Sequence, residues 1–281
     1  YQKMRALIIY LVISAVFIGC TPILSIDAST QSVYHFSDTD KNISLLDISE
    51  TFGTYDGSFV LYDNHLDSWK IYDLEEATKR IPPESTYKIY DALLGLESGI
   101  ITPEHSSMTW NGDAFPFPSW EADQDLNSAM QNSVNWYFQA IDSQLGINRV
   151  QEFLNKIEYG NQTTSSNLDL YWSDFSLKIS PLEQVTLLKK FNTNEFHLNS
   201  QNVFSVKNAI KIASTPNGNF YGKTGTGRVN GQDINGWFIG YVETSDNSYY
   251  FATNIQSDSN ATGKKAFEIT SDILKKLHIW N

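Results

Sequence analysis

Ser85 and Lys88 stand three residues apart in the run Pro82-Pro83-Glu84-Ser85-Thr86-Tyr87-Lys88. On a helix that spacing puts both side chains on one face. A serine hydroxyl becomes a nucleophile only beside a base, and a lysine can be that base only if burial or a neighbouring charge lowers its pKa. Tyr87, Ile89 and Tyr90 surround the lysine in sequence and favour burial. A helix mouth also supplies unpaired N–H groups and partial positive charge, suited to the oxyanion formed when an acyl carbonyl is attacked. By itself the pair reads equally well as an N-cap serine and a surface lysine.

Two further groups change that balance. Ser133-Val134-Asn135 sets a second serine where it would cap another helix, with the asparagine in its first turn. Lys223-Thr224-Gly225, continued by Thr226 and Gly227, lies in a strand-like run YGKTGTG. Its glycines let a ligand lie close to the backbone, while lysine and threonine offer a cation and a hydroxyl to a carboxylate. A phosphate loop is a poor reading, because GxxxxGK[ST] is absent and no helix follows. Ser-x-x-Lys, a Ser-x-Asn triplet and Lys-Thr-Gly, in this order, form the signature of active-site serine penicillin-binding proteins and β-lactamases.

Regular elements must carry these groups. GSFVLY (57–62) and WKIY (69–72), separated by a turn-rich segment, predict a hairpin. TYKIYDALLGLES (86–98), apolar on most faces and stopped by Gly99, predicts a core helix. Residues 101–123, rich in Pro, Trp and Gly, predict an aromatic loop. Val134, Phe138, Ile141 and Leu145 recur at helical spacing before Gly146. Three strands follow in NFYGKTGTG, GWFIGYVE and YYFATNIQ, with a turn at Asn230-Gly231, and Ala266, Ile269, Ile273 and Leu277 mark a last helix. The expected class is α+β: one antiparallel sheet of N- and C-terminal strands, helices packed on it, and a helical region inserted between.

The 281 residues, 41% hydrophobic, suffice for a large core, and a net charge of −12 without a basic cluster argues against a nucleic-acid partner. Cys20 is the only cysteine, so no intrachain disulfide can form. Ala6 to Ile26 carries no charge and is long enough to span a bilayer as a helix; Lys3 and Arg5 before it and Asp27 after it orient the remainder outward. This divides the chain into a transmembrane helix (1–27), a polar linker (28–48) and a folded domain (49–281), with residues 28–281 outside the cell. The competing readings of the apolar run are a cleaved signal peptide, or a lipoprotein signal with Cys20 as lipid acceptor.

Beyond the triplets, PESTYKIYDALLGLESG, YGN (159–161), YWSDFSLKISPLEQV (171–185) and GWFIGYVE resemble class D β-lactamases from about Gly53 to Leu277. STYKIY, DLNSAMQNSVNWYF and YGKTGTGRVNG are closer still to the extracellular sensor domains of β-lactam sensor-transducers of the penicillinase and methicillin-resistance type. That resemblance implies the serine β-lactamase/penicillin-binding fold. It also implies Ser85 as acylated nucleophile, Lys88 as a base that CO2 can convert to N6-carboxylysine, and Ser133 as proton relay. Lys223, Thr224, Gly225 and Thr226 become ligand contacts, the amides of Ser85 and Thr226 an oxyanion hole, and Trp172 a neighbour of Lys88. No metal or organic cofactor is implied.

Asn135 stands where class D hydrolases usually have valine. An apolar residue there would shelter a carboxylated lysine, the base that activates the deacylating water, whereas an amide can hydrogen-bond Lys88 and favour loss of CO2. Persistent acylation, as a receptor needs, is therefore expected. The alternatives are a class D β-lactamase, a D,D-transpeptidase and a non-catalytic wall-binding module. A cytoplasmic zinc protease with His-Glu-x-x-His is expected upstream in transducers of this type, and none of the five histidines forms that motif. No clear arginine for the antibiotic carboxylate is found either; Lys264 and Lys265 are merely near in sequence.

Overall fold

The computed structural model describes residues 23–24, 34–35, 42–169 and 171–281. Ile23–Leu24 (β1) pairs antiparallel with Tyr34–His35 (β2). The rest of the apolar run Ala6–Ile26 lies outside the described residues. No helix among the described residues is long and apolar enough to cross a membrane.

Seven strands form the central sheet: Ile43–Leu45 (β3), Asp56–Asp63 (β4), Ser68–Tyr72 (β5), Lys211–Thr215 (β6), Gly218–Val229 (β7), Gln232–Glu243 (β8) and Ser248–Gln256 (β9). Their order is β3-β5-β4-β9-β8-β7-β6. The hairpin and the C-terminal meander stand as expected, and β4 joins them by pairing with β9. The sheet is mixed, however, since β3 runs parallel to β5. β3 also places the end of the segment read as a linker in the sheet.

The helices are Ser49–Phe52 (α1), Leu74–Thr78 (α2), Lys88–Glu97 (α3), Leu126–Gln131 (α4), Asn135–Leu145 (α5), Ile147–Ile157 (α6), Pro181–Asn192 (α7), Ser200–Ala209 (α8) and Gly263–Lys276 (α9). Those from α2 to α8 fall between β5 and β6, which is the expected helical insertion. Strand alternation explains why the sheet is covered on both faces. Val60, Tyr62, Trp237, Ile239 and Tyr241 face a large core built with α3, α5, α6 and α7. Phe59, Leu61, Phe238 and Val242 face a smaller one closed by α9.

Two features fix the site within this frame. Gly95 on α3 meets Ile141 on α5, which a Cβ would approach to 3.1 Å, so the glycine sets how near the two helices come. Asn235 Nδ2 and Trp237 Nε1, both on β8, donate to the Pro82 carbonyl at 3.1 and 2.8 Å, fastening the chain just ahead of Ser85 to the sheet. Close approach inside the sheet is equally strict at Gly57, which has φ +137° and would place a Cβ 1.9 Å from the Asn254 carbonyl oxygen. Gly57→Ala is therefore expected to destabilise the domain by at least about 1–3 kcal/mol, the usual cost of overpacking, read from the urea midpoint; an unchanged midpoint would refute this account of β4 against β9.

Candidate active site

The helix predicted from Thr86 begins as a 3-10 turn, Glu84–Tyr87, and becomes α3 at Lys88. Ser85 sits in that turn, and its side chain caps nothing. The Ser133 expectation is corrected in the same way: Val134 is the N-cap of α5 and Ser133 makes no cap bond. Ser133 instead has φ +52°, and its hydroxyl points between two lysines. Lys88 Nζ lies 2.9 Å, and Lys223 Nζ 3.1 Å, from Ser133 Oγ.

Lys88 is fully buried. Its Nζ lies 2.8 Å from Ser85 Oγ, 3.1 Å from the Ser133 carbonyl oxygen and 2.5 Å from Asn135 Oδ1, with the Phe138 ring centre at 5.6 Å. Burial, reinforced by the positive charge of Lys223, pushes the amine well below the ordinary lysine range, against the opposing pull of Asp91 and Glu84. A neutral amine has two N–H groups and one lone pair. The Asn135 and Ser133 carbonyl oxygens can only accept, so they take the two hydrogens and leave the lone pair for a serine hydroxyl. Once neutral, the amine would thus have its lone pair turned toward the Ser85 hydroxyl.

Lys223 also reaches the Thr224 carbonyl at 3.0 Å, and burial lowers its pKa to about 7. β7 pairs with β6 only from Gly218 to Tyr221, after which the Gly222 amide donates to Ile210 O. By alternation, the amides of Thr224 and Thr226 point to the same, now open, edge. Gly225 rests on the nucleophile turn, where a Cβ would lie 3.2 Å from the Ser85 amide nitrogen. Thr226 Oγ1 accepts from the Gly263 amide at 2.9 Å, tying this stretch of β7 to α9. Trp172 stacks on Tyr87 at 6.1 Å, and its carbonyl accepts from the Glu84 amide at 3.0 Å, so it braces the nucleophile turn.

The structure thus gathers Ser85, Lys88, Ser133, Asn135 and Lys223 in direct contact, with Thr224, Gly225 and Thr226 along the adjoining strand and Trp172 behind the turn. Reasoning from sequence missed three groups. Glu84 precedes the nucleophile, is buried at φ +52°, and has its pKa raised by burial to about 8. Its only signal was an acid next to a catalytic serine. Asp91 and Asp142, on α3 and α5, are both fully buried, and Tyr171 Oη donates to Asp142 Oδ2 at 3.0 Å. Burial raises both, Asp142 to about 7. Helical spacing from Lys88 could have suggested Asp91, whereas nothing local suggested its partner.

A serine hydroxyl beside a buried lysine amine of lowered pKa, a second serine between two lysines and an open strand edge are the parts an acyl-accepting site requires. A family model of the penicillin binding protein transpeptidase domain matches residues 49–275, and the chain belongs to that family. It is 44% identical over 277 residues to regulatory protein BlaR1 of Bacillus licheniformis, covering 98% of this chain and 45% of that protein. It is 38% identical over 278 residues to the methicillin resistance MecR1 protein of Staphylococcus aureus, covering 99% and 47%. With β-lactamase OXA-10 of Pseudomonas aeruginosa it shares 35% over 207 residues, 73% of this chain and 78% of that one. The solved C-terminal domain of the Bacillus licheniformis BlaR penicillin-receptor superposes with a TM-score of 0.83 at 45% identity, covering 85% of this chain and 98% of that domain. This chain is homologous to that receptor domain and related to class D β-lactamases; it spans less than half the length of the BlaR1 and MecR1 proteins.

The raised Asp142 carboxyl has a thermodynamic consequence. The folded state holds this proton more tightly than the unfolded chain, so the resulting stability is complete below the ordinary carboxyl value of 3.8 and is lost as pH rises through about 7. Urea midpoints measured across that window should fall less in Asp142→Asn than in the wild type. Equal slopes would show that Asp142 ionises freely in the fold.

Proposed function

We propose that this chain is the ligand-reading domain of a β-lactam receptor, in which penicillins and cephalosporins acylate Ser85 and the adduct persists long enough to signal. The observation that carries the proposal is Asn135 Oδ1 held 2.5 Å from Lys88 Nζ. As Ser85 Oγ attacks the lactam carbonyl, its proton passes to the Lys88 lone pair, and the amides of Ser85 and Thr226 receive the oxyanion. The C–N bond of the ring opens, and the departing nitrogen takes a proton through Ser133 Oγ, which lies within hydrogen-bonding distance of both lysines. Lys223 and Thr224 face the ligand carboxylate.

Deacylation demands a second base to activate water. A carboxylated Lys88 would be that base, and the amide of Asn135 takes the position beside the amine that a carbamate would need. Acylation therefore proceeds and hydrolysis lags. Similarity to a regulatory protein and to a penicillin-receptor domain supports receptor over hydrolase. In this reading the apolar run Ala6–Ile26 anchors the domain in the cell membrane, residues 28–281 face outward, and a zinc-protease part carried upstream in the cytoplasm converts occupancy into induction of resistance.

Intact-mass spectra after incubation with benzylpenicillin test the proposal. One stable adduct, absent in Ser85→Ala, is expected; return to the unmodified mass with continued antibiotic consumption would make the domain a class D hydrolase. Asn135→Val should shorten the lifetime of the adduct about tenfold or more, since supplying a general base typically contributes 10²–10⁴. An unchanged lifetime would refute the role given to the asparagine.

A further inference from the structure

The open edge of β7 is flanked by two cavities of opposite character, with Ser85 between them. One, about 400 Å³, is lined by Lys211, Gly222, Lys223 and Thr224 among others and has no acidic residue in its wall. The other, about 150 Å³, is lined by Pro82, Glu84, Phe175, Gly227, Val229 and Asn235 among others. Gly225 meets the Ser85 amide, and Gly227 lies two residues further along the strand, roughly 7 Å away at 3.3–3.4 Å per residue. A ligand acylating Ser85 while its carboxylate meets Lys223 therefore extends its acyl substituent toward the second cavity.

The floor of that cavity is unusual. Glu84 is 6% exposed, and among the described residues its carboxyl takes one hydrogen bond, a long one of 3.4 Å from Asn235 Nδ2. Among the described residues no lysine or arginine forms an ion pair with it, and Lys88 acts on it only as a weaker electrostatic influence. Arg228, at the rim, is held instead by Asp233 at 3.6 Å and by the Gly231 carbonyl at 2.9 Å. Gly227 is needed for the carboxyl to lie where it does, because a Cβ there would fall 2.4 Å from Glu84 Oε1. Phe175 and Val229, exposed at the lip, suit an apolar group. A buried carboxyl this poorly satisfied gains most from a ligand that brings its own donor.

We propose that this cavity is a subsite for an amine-bearing acyl substituent, in which Glu84 pairs with the ligand's ammonium while Phe175 and Val229 cover its apolar part. The proposal rests on the receptor reading above for its substrate class and deepens it. Because an ammonium donates to a carboxylate and a carboxylic acid donates to an amine, one shared proton joins the two groups whichever holds it. Burial raises the empty site's carboxyl to about 8, so the unoccupied cavity stays largely uncharged at neutral pH, and pairing with an ammonium releases one proton to solvent.

Benzylpenicillin and ampicillin differ by one α-amino group and make the test direct. The second-order acylation rate constant of the wild type should favour ampicillin about tenfold, corresponding to about 1.4 kcal/mol, and Glu84→Gln should bring the ratio to about one. Using a ratio within each variant cancels any general loss of reactivity or stability. A ratio near one in the wild type, or a preference that survives Glu84→Gln, overturns the proposal. If neither compound acylates Ser85, the receptor reading fails, and the subsite is then tested by benzylamine, which should raise the Tm of Ser85→Ala but not of the Glu84→Gln/Ser85→Ala double variant. Equal shifts in both would overturn the subsite on its own.

Discussion

A lysine amine sealed in the protein without a carboxylate in contact is the constraint on which the rest of the site depends. An isolated ammonium buried in this way would be too costly, and the group sheds its proton instead. Burial does this because α3 starts at Lys88 with its first turn already inside the large core, between Tyr87 and Ile89. Once neutral, the amine is held in orientation by the acceptors around it, and the serine hydroxyl is left as the donor to its lone pair. Reactivity at Ser85 is thus a property of the core as much as of the serine.

The second requirement is a strand edge that is inside the molecule yet unpaired. β6 leaves β7 after Tyr221, so the Lys-Thr-Gly stretch keeps ladder bonds to β8 on one side and offers backbone groups on the other. An exposed edge invites pairing with other chains; here α4, α8 and the nucleophile turn border it, and it becomes a cleft. The bonds from Asn235 and Trp237 to Pro82 O set the width of that cleft, because they attach the chain ahead of Ser85 to the next strand of the same sheet.

Much of this was legible in the sequence, since period-two runs and helix stops are local signals. The hairpin, the meander and the last helix are where their patterns put them, as are the Ser-x-x-Lys turn and the Lys-Thr-Gly strand. What escaped was non-local. Ile43–Leu45 is too short to announce itself, and its parallel pairing to β5 depends on the direction in which the chain arrives. A serine before a helix reads as its cap, but two lysines distant in sequence hold the Ser133 hydroxyl instead. Asp142 looks like any polar residue in an amphipathic helix until Gly95 lets α5 close on α3.

That closure explains how a site with carboxyls nearby keeps its lysine uncharged. Asp91 lies one turn after Lys88, and an ionised Asp91 would favour the ammonium. Desolvation raises Asp91 first, and the neighbouring Asp142 raises it further. Two neighbouring buried acids resist ionising together, so Asp91 favours its protonated form. Tyr171 Oη donates to Asp142 Oδ2, which partly offsets the burial that raises Asp142. The lowered lysine and the raised acid are therefore one electrostatic arrangement: an ionised Asp91 would pull the Lys88 amine back toward the ammonium and away from the role of base.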